Sequence, residues 1–86
     1  MKQFGFTIRD PLGIHARPAG LLVKESKAFA DTTVTITKNG TTVKATQLMK
    51  LMGLGVKQGD VVTVAAGGAN EDAAIAAMSD FFQKNL

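Results

Sequence analysis

The chain has no cysteine, no tryptophan and no tyrosine, and one histidine among its 86 residues. Without cysteine there is no disulfide, no thiol nucleophile and no cysteine-built metal centre. A single histidine leaves a zinc site within the chain dependent on carboxylates alone, an unusual donor set, so neither a metal nor a cofactor is expected. No apolar run reaches the ~20 residues that cross a bilayer, and the first residues lack the pattern of a secretory signal. A cytoplasmic chain with no membrane insertion is the expectation. Dense basic runs are absent too: the net charge is +3, and Lys24, Lys27, Lys44, Lys50 and Lys57 are spread along the sequence. A small α+β nucleic-acid binder would show salt-sensitive binding. The lack of stacking aromatics argues against it, and no nucleic-acid partner is expected. A mildly basic surface suits acidic protein partners instead. The length supports one small core, hence a single domain over 1–86.

What is present divides into short periodic segments. Gln3 to Arg9 alternates, with Phe4, Phe6 and Ile8 on one face, as a half-buried strand does. Asp10-Pro11-Leu12-Gly13 is a turn by composition. From Ala16 the pattern is helical, with Ala19, Leu22, Val23 and Ser26 sharing a face, and Pro18 in the first turn supports a helix start at His15 or Ala16. Thr33 to Lys38 reads as a β-branched strand, Asn39-Gly40 as a hairpin turn and Thr41 to Ala45 as its partner. Thr46 is the expected cap of a short helix, Gln47 to Met52, ending at Gly53 or Gly55. Asp60 to Ala66 is another strand. The last helix starts at Asn70, with Ala74, Ala77, Met78, Phe81 and Phe82 on one stripe. The order β-α-β-β-α-β-α predicts an α+β fold, an open-faced two-layer sandwich in which three helices cover a four-stranded antiparallel sheet.

The chemistry concentrates in Gly13-Ile14-His15-Ala16-Arg17-Pro18. A neutral imidazole is a nucleophile near neutral pH. The first turn of a helix offers unpaired N–H groups and the positive end of the macrodipole, which suits an anion. Arg17 adds a permanent cation shaped for phosphate oxygens. Helix start and arginine together surround His15 with positive field, so the ring is expected to stay neutral and nucleophilic, and the same field would stabilise an attached phosphoryl dianion. His15 with Arg17, cradled by the helix start at Ala16, Arg17 and Pro18, therefore reads as a phosphoryl acceptor; the plainer alternative is a histidine that only caps the helix. The short helix supplies a second feature. Leu48, Met49, Leu51 and Met52 are too many for one face of two turns to bury, so part of them forms either an exposed binding patch or a wider core contact.

These motifs, with Leu48-Met49-Lys50-Leu51-Met52-Gly53-Leu54-Gly55 and Lys57-Gln58-Gly59-Asp60, resemble the HPr family, the histidine-containing phosphocarriers of the phosphoenolpyruvate-dependent sugar phosphotransferase system (PTS). The resemblance runs over essentially the whole chain and implies the same element order. It implies that His15 accepts a phosphoryl group on Nδ1 from phosphorylated enzyme I and hands it to sugar-specific enzyme IIA components, with Arg17 contacting the group and Pro18 fixing the helix start. On this reading the protein is a carrier and not an enzyme. The resemblance further implies an apolar docking surface of Leu12, Ala16, Gly20, Leu48, Met49, Leu51 and Met52, rimmed by Lys24, Lys27 and Lys50, on a monomer. One position departs from the pattern: Gln47 stands where Gram-positive relatives carry a regulatory serine. That argues against serine-type regulation and leaves Thr46 as the one neighbouring hydroxyl. A regulatory or nitrogen-branch module on the same scaffold is the alternative reading.

Overall fold

A computed structural model describes all residues, 1–86. Four strands form one antiparallel sheet: β1 (Lys2–Thr7), β2 (Thr32–Lys38), β3 (Thr41–Lys44) and β4 (Val61–Gly68), in the order β1-β4-β2-β3. Three helices, α1 (Ala16–Lys27), α2 (Leu48–Gly53) and α3 (Glu71–Asn85), complete the expected element order. The apolar alternation of the strands supplies the inner face, where Ile36, Val62 and Val64 are fully buried. Phe4 pairs with Val64 and Phe6 with Val62 across β1 and β4. From α3, Phe82 meets Phe4, Phe6 and Phe81 edge-on, with ring centroids 5.5–6.1 Å apart. Leu22 of α1 and Met78 of α3 complete the same core.

The hairpin follows from Asn39 at φ 49° and Gly40 at φ 81°, the two left-handed positions of a type I′ turn. Beyond it, Thr37 and Thr42 share a hydroxyl hydrogen bond of 2.7 Å. β4 runs two residues further than its apolar stretch predicts, because Gly67 and Gly68 pair with Thr33 and Thr32. Thr46 is not the cap of α2. Past the end of β3, Ala45 donates to Val34 O and Gln47 donates to Lys44 O, which closes a turn over Thr46, and it is Gln47 whose carbonyl accepts the first helical bond from Leu51. The Gln47 side chain makes no capping bond.

The segment between β1 and α1 is held from three sides. Arg9 and Asp10 donate their N–H groups to the main-chain oxygen of Leu86, at 2.6 and 2.9 Å. The Arg9 guanidinium bonds the Gln83 carbonyl, and the Gln58 side-chain amide donates to Arg9 O. Ile14 donates to Val56 O at 3.2 Å, on the connection between α2 and β4. Gly13 is required at that crossing: its φ is +67°, and a Cβ there would lie 2.1 Å from Val56 O.

Candidate functional site

His15 is the N-cap of α1, with extended backbone (φ −106°, ψ −179°), and its carbonyl accepts the first helical bond from Ala19 at 2.9 Å. The main-chain N–H groups of Ala16 and Arg17 precede that bond and are free for an incoming anion. Pro18 contributes no donor; it is buried and fixes the first turn by packing. The His15 side chain, 35% exposed, lines a shallow depression of about 190 Å³ with Asp10, Arg17, Pro18, Leu21, Lys84 and Asn85. Arg17 is exposed and its guanidinium enters no ion pair, so it is available to a ligand. Lys84 is engaged by Asp80 at 3.1 Å.

Four of these lining residues escape the sequence reading. Asp10 announces itself only as a turn residue, yet its carboxylate Oδ2 lies 3.7 Å from His15 Nε2 while Oδ1 accepts the N–H of Leu12 at 2.8 Å. The expectation of a wholly positive environment for the ring is thereby corrected, since one carboxylate faces it. Lys84 and Asn85 arrive from the far end of the sequence on α3, and no local pattern signals them. Leu21 stands outside the apolar stripe of α1; it is 43% exposed and lines the depression.

The expected docking residues divide. Leu12 and Met49 are strongly exposed, at 70% and 81%, and Leu48 and Met52 are each about 40% exposed. Ala16, Gly20, Lys24, Lys27 and Lys50 are exposed as well. Arg17, Gly20 or Leu21, and Lys24 recur at helical spacing along the outer side of α1. Leu51 is the exception: it is fully buried. At about 100° per residue it sits roughly 200° around α2 from Met49, so the same turn that exposes the methionine drives Leu51 into the core. It belongs to packing and not to any docking face.

Fold and site together define a class of small α+β proteins that present one accessible histidine at a helix N-terminus, beside free N–H donors and an unpaired arginine. A family model for the PTS HPr component phosphorylation site matches residues 2–84. The chain belongs to this HPr family, the phosphocarriers of the PTS. Phosphocarrier protein HPr of Mycoplasma genitalium is 38% identical over 85 residues, which cover 99% of this chain and 97% of that protein. The solved HPr-C-His from Thermoanaerobacter tengcongensis has a TM-score of 0.91 at 37% identity, covering 98% of this chain and 93% of that one. A Mycoplasma histidine-containing phosphocarrier has a TM-score of 0.92 at 32% identity, over 96% and 93% of the two chains.

Proposed function

We propose that this chain is a single-domain carrier that takes a phosphoryl group on His15 Nδ1 from phosphorylated enzyme I and delivers it to enzyme IIA components of sugar uptake. The observation that carries the reading is the coincidence, at one helix start, of an accessible imidazole, the free N–H groups of Ala16 and Arg17, and an unpaired guanidinium. Transfer proceeds with donor and acceptor atoms roughly in line, and its catalysis is mostly positioning and charge stabilisation. The N–H pair and Arg17 hold the equatorial oxygens, while the partner proteins supply the rest of the environment. The protein is thus a shuttled reactant and not an enzyme.

Leu12, Leu48, Met49 and Met52, with Ala16 and Gly20, form the contact face, and Lys24, Lys27 and Lys50 steer acidic partners. A face that releases each partner quickly suits a weak, small interface and a monomer in the cytoplasm, which light scattering would test as a single species of this mass. Gln47 is exposed and has no hydroxyl, which argues against serine-type regulation at this position. Thr46, half-buried beside it, is the remaining candidate hydroxyl, and a kinase assay that yields no phosphothreonine on the wild type disposes of it.

The test is intact mass after incubation with phosphoenolpyruvate and enzyme I. The expected result is an acid-labile gain of one phosphoryl group that His15→Ala lacks. No gain with an active enzyme I overturns the carrier reading.

A further inference from the structure

Among the residues lining the His15 depression, Asp10 is the sole acid; Arg17 enters from α1 and Lys84 from α3, both cationic. It is also rigidly held. Its N–H is fixed on Leu86 O at 2.9 Å, its carbonyl accepts Gly13 N–H at 2.9 Å, and its Oδ1 accepts Leu12 N–H at 2.8 Å. With one carboxylate oxygen tied into the turn, the other has little freedom, and it lies 3.7 Å from His15 Nε2. That is too long for a hydrogen bond and well within the range of charge attraction. A neutral imidazole carries one proton on either nitrogen, and what lies beside the ring decides which.

We propose that Asp10 is a positioning residue for the carrier chemistry: its carboxylate keeps the single ring proton of His15 on Nε2 and leaves the Nδ1 lone pair free as the nucleophile. The inference rests on the carrier reading for its purpose, though not for its test. During uptake, the Nδ1 lone pair forms the N–P bond while the bond from phosphorus to the donor breaks, its electron pair leaving with the donor. The Nε2 proton stays in place. The ring becomes a phosphorylated imidazolium whose positive charge faces the Asp10 carboxylate, while the phosphoryl oxygens face Arg17 and the N–H groups of the helix start. Delivery reverses this: the N–P electron pair returns to Nδ1 as the acceptor bonds phosphorus. No proton has to move in either direction.

The experiment is long-range ¹H–¹⁵N correlation NMR of His15 in the unphosphorylated chain, at a pH of about 9 where a free imidazole is neutral. Asp10→Asn is the informative variant. Its Oδ1 can keep the bond to Leu12 N–H, as asparagine does in such turns, while its amide N–H₂ faces Nε2 as a donor in place of an acceptor. The wild type is expected to favour the Nε2–H form beyond a blocked histidine peptide. Asp10→Asn is expected to lower the ratio of Nε2–H to Nδ1–H by about tenfold, the Coulomb difference between two ring nitrogens about 2 Å apart at an effective dielectric near 20. Asp10→Ala should return to the peptide ratio. Ratios unchanged from the wild type in both variants overturn the proposal. Because this readout needs no donor, a wild type that takes up no phosphoryl group in the mass experiment refutes the carrier reading separately.

Discussion

Arg17 is placed by helix geometry and held by nothing else. An arginine with no ion pair at the mouth of an anion cradle keeps its donors free for a ligand, and a charge-assisted contact to phosphate is worth about 1.5–3 kcal/mol. Arg17→Ala is therefore expected to slow phosphoryl uptake and delivery by roughly ten- to a hundredfold. Its thermal midpoint should match the wild type, since the side chain is exposed and makes no ion pair. Rapid-quench transfer rates beside a melting curve check both halves, and unchanged rates would remove the clamp role. The residues around it were unequally legible. His15, Arg17 and the helix start stand within one hexapeptide, so local rules for caps and anions suffice. Asp10, Lys84 and Asn85 join the site only through tertiary structure, when α3 brings Leu86 against the amides of Arg9 and Asp10. No periodicity or spacing encodes such a meeting.

β1 and β2 are readable from two-residue alternation, β3 from the Asn39-Gly40 hairpin and β4 from its β-branched run, because these signals are local and need no partner. The short helix was harder. Over six residues a helical period has too few repeats to say which side faces the core, and α2 shows the outcome: Leu51 fully buried, Met49 81% exposed. The difference between them is a direct prediction. Leu51→Ala should cost about 2–5 kcal/mol, the usual cost of emptying a core leucine site. Met49→Ser should stay within about 0.5 kcal/mol of the wild type and lower the affinity for a docking partner instead. Urea unfolding and a partner titration on both variants separate the roles, and a Met49→Ser chain that binds its partners unchanged would remove that residue from the docking face. The misplaced cap belongs here too. Thr46 has the better capping side chain, but it lies inside the turn that Gln47 N–H closes on Lys44 O, so the extended position before the helix falls to Gln47.

Across the whole molecule, the connection from α2 to β4 ties the sheet to the site loop. Lys38 Nζ donates to Gly55 O at 2.8 Å and pairs with Asp60 Oδ2 at 2.9 Å, and the same carboxylate oxygen accepts Lys57 N–H at 2.8 Å. The hydrogen bond from Lys38, followed by that from Lys57 N–H, holds Asp60 below its ordinary 3.8. Unfolding releases the group to that ordinary value, so the unfolded chain takes up the proton first. The stabilisation is thus complete above the unfolded pKa and lost as pH falls through the folded one. Asp60→Asn is expected to lower stability near pH 7 and to flatten its decline under acid. Denaturant midpoints from pH 7 to about pH 2 read this, and equal acid slopes in the two proteins would dismiss the link. A last consequence lies in the strand order. The central strand β4 is the partner of both β1 and β2, so a ribosome must translate past residue 68 before either can pair with it. Until then the β2–β3 hairpin is the sheet's one available ladder. The clamp on Arg9 and Asp10 waits longer still, for Leu86. A nascent chain therefore exposes His15 early in synthesis, and the depression around it is complete only when Lys84 and Asn85 of α3 dock beside it.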